Sequence, residues 1–128
     1  MESSEEVTIE HIEPNIKIHA FAASVAENVV RFEVMKFKDS VLIWIGQKQN
    51  RCFKDLSLAL LSNKVKDPLC TKIMGQPTDL TSNNLACKLS KKLGKPVYVS
   101  FNLVDDRLTV PVVNSRIIEE MQKNPQCF

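Results

Sequence analysis

The stretch VVRFEVMKFKDSVLIWIG at residues 29–46 contains two strand signals joined by a turn. In residues 29–37, apolar side chains alternate with charged ones, which is the period of a half-buried strand. The pair Asp39-Ser40 suits a turn, and the run VLIWIG that follows is apolar at successive positions and rich in β-branched residues. The pattern therefore predicts a hairpin whose second strand is central in a sheet and covered on both faces.

Strand signals continue on both sides of this hairpin. Residues 16–22, 53–62, 69–74 and 96–103 each alternate or are short and apolar, and residues 107–110 are a candidate short strand. In the first segment Ile16, Ile18, Ala20 and Ala22 alternate with Lys17, His19 and Phe21, and in 53–62 three leucines alternate with Ser57 and Ala59. A helix is also possible at 53–62 because Leu and Ala favour it, but the alternation and the short length favour a strand.

Residues 81–93 have the signals of a helix with defined ends. Their leucines recur at helical spacing, and Asp79 or Thr81 is a suitable N-cap. Gly94 stands where a left-handed residue ends a helix, and Pro96 prevents continuation.

A second helix is predicted at about 111–123, because Val113, Ile117 and Met121 share one helical face and Asn124-Pro125 ends it. A run of strands followed by helix, strand and helix predicts an α+β fold. The expected architecture is an antiparallel sheet or sandwich of six to seven strands with two flanking helices, at about 81–93 and 111–123.

Charge divides the chain into a tail and one domain. Residues 1–14 contain five Glu and no Lys or Arg, whereas the rest has 17 basic and 10 acidic residues. A segment with this charge and little apolar surface is expected to be a disordered acidic tail, which leaves residues 15–128 as a single domain. The basic residues are spread along the chain, which argues against nucleic acid, and the apolar run at 41–45 is too short to span a bilayer.

Motifs for chemistry are missing from the sequence. There is no phosphate-binding glycine loop, metalloprotease helix or nucleophile elbow, and no Cys-x-x-Cys pair among the four cysteines Cys52, Cys70, Cys87 and Cys127. The N-terminal segment does not resemble a signal peptide, so we expect reduced, unpaired thiols in the cytosol or nucleus. A Cys–His pair between His19 and Cys52, Cys70 or Cys87 stays open as an enzymatic alternative, and Asp105-Asp106 suits a turn better than acid–base work.

Four lysines recur at helical spacing near residue 90. Lys88, Lys91, Lys92 and Lys95 lie at i, i+3, i+4 and i+7, and are predicted to occupy the helix face opposite Leu85. Such a stripe is either a solvated face or a docking surface for an acidic protein. Nucleic acid is the weaker alternative, because no aromatic residues interleave with these lysines.

Three collinear stretches carry a more specific signal: RFEVMKFKDSVLIWIG (31–46), LACKLSKKLGKPVYVSFNL (85–103) and NSRIIEEMQKNPQCF (114–128). In this order and at these spacings they resemble the proteasome assembly chaperone 4 family. The resemblance implies a non-enzymatic chaperone without cofactor, metal or small-molecule substrate. It further implies a heterodimer with proteasome assembly chaperone 3, which acts early in ordering proteasome α-subunits into a ring and leaves before the proteasome matures. The alternatives are an adaptor or scaffold subunit of another cytosolic complex and a thiol-dependent enzyme.

Overall fold

Six strands and two α-helices make up the fold in residues 6–104 and 106–128, the part of the chain that the computed structural model describes. In chain order the elements are β1 (Ile18–Val25), β2 (Asn28–Lys36), β3 (Val41–Gln47), β4 (Leu56–Leu60), β5 (Leu69–Met74), α1 (Thr81–Leu93), β6 (Val97–Phe101), α2 (Thr109–Lys123) and a 3-10 turn at Pro125–Cys127. Strands followed by late helices confirm the predicted α+β class.

All six strands belong to one mixed sheet with the order β1-β2-β3-β6-β4-β5. Strands joined by short connections pair antiparallel, as the hairpin at residues 29–46 predicted. The central pair, β3 with β6, is parallel, which departs from the purely antiparallel expectation. Parallel neighbours need a long connection, and here the chain passes through β4, β5 and α1 between β3 and β6.

The helices cover one face of the sheet and enclose the core. Helix α1 packs on β4, β5 and β6, and α2 packs on β1. The core beneath them is built from Phe32, Ile43, Val99, Leu89 and Ile117, with other branched side chains of the same face.

The predicted bounds of α1 are confirmed, and α2 begins two residues earlier than expected. The N-cap is Leu80 rather than the predicted Asp79 or Thr81, although the Asp79 carboxylate accepts a hydrogen bond from the Thr81 amide at 3.1 Å. Gly94 ends α1 at φ 70°, the left-handed conformation that its position predicted.

Two strand predictions need correction. Residues 107–110 are not a strand, because Arg107 and Leu108 form a turn and Thr109 begins α2. In β1 the side turned to the helices carries His19, Phe21 and Ala23 rather than the isoleucines, and in β4 it carries Ser57 and Ala59 rather than the leucines. Alternation shows that a strand has two different faces, but the placement of the helices decides which of them is buried.

The described part of the N-terminal segment, from residue 6 to residue 17, contributes no strand to the sheet. Residues 6–17 form neither helix nor strand, and residues 6–14 are exposed. That this segment is a disordered, separate tail stays a prediction, part of which falls on residues 1–5, outside the described residues. Neither described helix has the length and apolar character needed to cross a membrane.

The prediction of four unpaired thiols is wrong for two of them. Cys70 on β5 and Cys87 on α1 form a disulfide, with their Cα atoms 6.3 Å apart. Cys52 and Cys127 are not paired. The sequence could not show this, because 17 positions separate the two cysteines and only the packing of α1 on β5 brings them together.

Candidate protein-interaction surface

The face of the sheet turned away from the helices carries a continuous row of apolar side chains. The strand register places Ile18, Met35, Leu42, Tyr98 and Leu58 side by side across β1, β2, β3, β6 and β4. Leu69, next to Leu60 at the β5 border, extends the row. We call this surface the open face, defined by Ile18, Met35, Leu42, Leu58, Leu60, Leu69 and Tyr98.

The open face is accessible at both borders and half-buried in the middle. Ile18 is 56 % exposed at the β1 border and Leu69 is 53 % exposed at the β5 border. Met35, Leu42 and Leu58 between them are partly exposed. Large apolar side chains grouped in this way mark interaction sites more often than isolated ones do.

A loop covers only one corner of the open face. Trp44 projects there and donates a hydrogen bond from Nε1 to the Cys52 carbonyl at 2.9 Å, so the segment after β3 folds back over the indole ring. The ring lies over Gly46, where a Cβ atom would stand 2.5 Å from two ring carbons. Trp44 is thereby 8 % exposed, which agrees with the packing role expected of a tryptophan in an apolar strand.

A cleft of about 290 Å³ remains between this loop and the apolar row. Phe53 lines it on the loop side, and the sheet side is lined by Ile18, Met35, Leu42 and Trp44.

Charged groups occupy the rim of the cleft. Glu33 Oε1 lies 3.3 Å from Arg31 Nε and 3.6 Å from Arg51 Nη1. All three side chains are partly exposed, so these pairs stabilise the fold by only about 0–1 kcal/mol each. An apolar floor with a charged rim has the composition of a protein-binding surface rather than of a catalytic site.

Helices cover only one of the two apolar sides of β3 in the described part of the chain. Its run VLIWI is apolar on both sides, which predicted a central strand covered on both faces. The helices cover the side with Val41, Ile43 and Ile45, all fully buried, whereas the side with Leu42 is covered only by the loop at Trp44. The described part of the chain therefore supplies one of the two covers that the sequence of β3 calls for.

Three of the four lysines of the predicted stripe lie on the exposed side of α1, and their role in docking stays a prediction. Lys88, Lys91 and Lys92 are exposed on α1, away from buried Leu85 and Leu89. We call these three residues the lysine surface. Lys91 Nζ lies 3.3 Å from Asp67 Oδ1, and both side chains are largely exposed.

Lys95 has to be removed from that stripe. It follows Gly94, where α1 has already ended, and its Nζ donates to the Phe128 carbonyl at 2.5 Å. Burial and the nearby charge of Lys36 lower the pKa of Lys95, in that order of importance. Its amino group thus anchors the C-terminal residues, which the spacing alone could not indicate.

The residues that sequence reasoning considered for catalysis have structural roles. His19 Nε2 lies 2.9 Å from Glu120 Oε1 and is not paired with a thiol. Cys70 and Cys87 are joined to each other, and Cys52 lies at the open face, on the other side of the sheet.

Asp106, the described member of the aspartate pair, has a structural role in the turn before α2. Asp106 Oδ1 accepts hydrogen bonds from the amides of Thr109 and Leu108 at 2.6 and 3.0 Å, and these bonds, chiefly that from Thr109, lower the pKa of Asp106. Asp105 lies outside the described residues. Within residues 6–104 and 106–128, no three His, Cys, Asp or Glu side chains converge as metal ligands.

Sequence reasoning missed a buried polar cluster beneath β5. The Asp55 carboxylate accepts hydrogen bonds from Lys72 Nζ at 2.5 Å and from the Phe101 amide at 3.1 Å. Lys72 also lies 3.1 Å from Ser82 Oγ on α1. No local signal could have revealed this cluster, because its members come from four separate elements. The sequence did contain a signal for the open face, because β3 has apolar residues on both of its sides.

Comparison with known proteins decides between the remaining classes. The family model described as proteasome assembly chaperone 4 matches residues 29–103, more than half of the chain. The chain belongs to the proteasome assembly chaperone 4 family. The mouse protein of that name is 36 % identical over 116 residues, with 89 % of this chain and 92 % of the mouse chain covered. The human protein of that name is 35 % identical over 115 residues, with the same coverage.

A solved structure supports the fold at greater evolutionary distance. A chain from a yeast complex, described as a novel chaperone complex for 20S proteasome assembly, superposes with a TM-score of 0.59 at 13 % identity. The match covers 87 % of this chain and 94 % of the yeast chain. Because members of this family are assembly chaperones, the non-enzymatic prediction is confirmed and the thiol-dependent alternative is rejected.

Proposed function

We propose that this chain promotes assembly of the 20S proteasome by helping α-subunits form their ring, as a heterodimer with proteasome assembly chaperone 3, in the cytosol or the nucleus. Membership in the family supports the assembly role. The yeast relative in fold comes from a chaperone complex, which supports a partner chaperone. The observation that carries the proposal is the open face, a sheet face without a helical cover.

In this proposal the open face binds the sister chaperone. Sheet faces pack against each other about 10 Å apart with interdigitating apolar side chains, which is the arrangement that a row such as Ile18, Met35 and Leu42 can enter. Six strands at a spacing of about 4.8 Å make the face roughly 24 Å wide. Specific protein interfaces bury about 800 Å² on each side, which a face of this width and strand length can approach together with its rim.

The lysine surface then contacts the α-subunit. It lies on α1, which packs against the opposite face of the sheet, so both partners could bind at once. Exposed ion pairs contribute little to affinity, about 0–1 kcal/mol each. We therefore assign Lys88, Lys91 and Lys92 to steering an acidic partner surface into contact, an effect on the association rate that salt screens.

The test is reconstitution from purified components. The chain is mixed with proteasome assembly chaperone 3, and the mass of the product is measured by multi-angle light scattering. The expected result is a one-to-one heterodimer that increases the yield of α-rings from unassembled α-subunits, compared with either chaperone alone.

Three outcomes would contradict the proposal. Absence of a heterodimer at micromolar concentration would remove the assigned partner. A homodimer that forms through the open face and excludes the sister chaperone would replace it. A heterodimer that leaves the α-ring yield unchanged would refute the assembly role but would not contradict the assigned interface.

A further inference from the structure

The pair Cys70 and Cys87 lies where the sheet ends. Strand β5 is an edge strand that pairs with β4 alone, and Cys70 is its second residue. Cys87 stands in the middle of α1, which packs over β5 from the helix side. The Cα–Cα distance of 6.3 Å lies within the usual range of about 4.4–6.8 Å for a disulfide.

Neither cysteine of the pair is fully buried. Cys70 and Cys87 are partly buried, at the margin of the core. Most disulfides that serve only stability are enclosed and resist exchange, whereas accessible ones take part in it.

Besides this bond, polar contacts hold β5 to the domain from the same side of the sheet. The ammonium group of Lys72 contacts Asp55 Oδ1 and Ser82 Oγ. Lys72 lies two residues after Cys70 and so points to the same side of the strand. Without the bond between Cys70 and Cys87, the first half of β5 is held by its ladder to β4 and by packing against α1.

We propose that Cys70 and Cys87 form a reversible thiol–disulfide site that locks edge strand β5, and with it one border of the open face, against α1. Its reactants are a low-molecular-weight disulfide such as oxidised glutathione in one direction and the corresponding thiol in the other. The inference goes beyond the proposed function and does not depend on it.

The exchange takes place in two steps that balance. One cysteine thiolate attacks a sulfur of the small disulfide, which forms a mixed disulfide and releases one small thiolate. The second cysteine thiolate attacks the cysteine sulfur of that mixed disulfide, which forms the Sγ–Sγ bond and releases the second small thiolate. The two protein thiols are oxidised by two electrons in total, and the small disulfide is reduced to two thiols.

The consequence for the protein is a change in the opening of β5. A cross-link over 17 positions limits how far β5 and α1 can separate, and edge strands are among the first elements to open locally. In the dithiol state the amide hydrogens of β5 should exchange with solvent faster than in the disulfide state. Amides of β2 and β3, which are enclosed in the sheet and untouched by the bond, should not change.

The full chain is equilibrated in glutathione buffers that cover a series of oxidised-to-reduced ratios. Free thiols are then trapped with an alkylating reagent, and the number of alkylated cysteines is measured by mass spectrometry. The matched variants are Cys52→Ser with Cys127→Ser, which retains the pair, and Cys70→Ser with Cys87→Ser, which removes it. In the first variant we expect an interconversion between no and two alkylated thiols. Hydrogen exchange of β5 should be at least about tenfold faster in the dithiol form, as expected when a constraint on local opening is lost.

Two results would overturn the proposal. One is alkylation of both cysteines at every glutathione ratio, which would mean that the bond does not form under exchange conditions. The other is equal exchange of β5 in the two redox forms, which would mean that the bond does not lock the strand. Because neither measurement contains a partner protein, failure here leaves the assembly proposal unaffected.

Discussion

Truncation of Ile18 to alanine should weaken binding of the sister chaperone about tenfold. The substitution removes three carbon groups from the β1 border of the open face, where 56 % of the residue is exposed. Burial of one carbon group contributes about 0.8 kcal/mol, and only the exposed fraction of the residue is still available for burial by a partner. Scaling the three groups by that fraction gives a loss in binding free energy of about 1.3 kcal/mol. A difference of that size corresponds to about a tenfold change in Kd.

A second substitution extends the same reasoning to the opposite border. Leu69 is 53 % exposed on β5 and also loses three carbon groups on change to alanine, so its expected effect is the same. The two residues lie on the outermost strands, roughly 24 Å apart, and their effects should add. The double variant should therefore bind about 80-fold more weakly.

The control is Leu108→Ala, the same chemical change at a residue that is 70 % exposed in the turn before α2. Because Leu108 lies outside the open face, its truncation should leave the affinity unchanged. All variants are compared by isothermal titration calorimetry against the sister chaperone. Urea unfolding of each isolated chain confirms that stability falls by only about 1 kcal/mol, the part of each side chain already buried.

The reasoning is refuted if Ile18→Ala and Leu69→Ala bind within twofold of the unchanged chain while both remain folded. A loss confined to Leu108→Ala would place the interface on the helix side instead. Equal losses in all three variants would indicate a general effect of surface hydrophobicity rather than a defined face.

Three further predictions concern charge and the N-terminal segment. Charge reversal of Lys88 and Lys92 to Glu should slow association with α-subunits in stopped-flow measurements and leave the melting temperature unchanged, and the difference in rate should vanish above a few hundred millimolar salt. Unchanged association rates at low salt would mean that these lysines form only a solvated face. Burial raises the pKa of Glu120, but hydrogen bonds from His19, Arg116 and Asn124 outweigh it, so the folded pKa is lower than the ordinary 4.5. The resulting stabilisation is present above that value and is lost as pH falls through the folded pKa. The loss of stability at acid pH, measured by urea unfolding, should therefore be smaller in Glu120→Gln. Removal of residues 1–14 should change the melting temperature by no more than a few degrees, since the described part of this segment is exposed, and a larger drop would show that it packs on the domain.

Several parts of the fold could be predicted because their causes are local. The apolar spacing of α1 and its stop at Gly94 act within a few residues, and they placed that helix at its observed bounds. The turn at Asp39-Ser40 likewise joins two adjacent strands, as predicted. The collinear motifs indicated the family that the comparisons confirm.

Only part of the candidate interaction surface could be predicted from the sequence. The apolar residues on both sides of β3 indicated that both faces of the sheet are covered. They could not indicate that the two described helices cover one face only. Among the four lysines, three lie on α1 as spacing predicted, whereas Lys95 contacts Phe128, a residue 33 positions away.

The sequence by itself determined where the two helices and the six observed strands lie to within a few residues, which strand is central, and which family the chain resembles. Only the tertiary structure decided the parallel pairing of β3 with β6, the inward face of β1 and β4, and the bond between Cys70 and Cys87. The physical reason is the distance along the chain over which each cause acts. Capping, turn and periodicity preferences act between neighbouring residues, whereas these three features depend on where α1 and α2 pack, and that position is set by the burial of the whole apolar core at once.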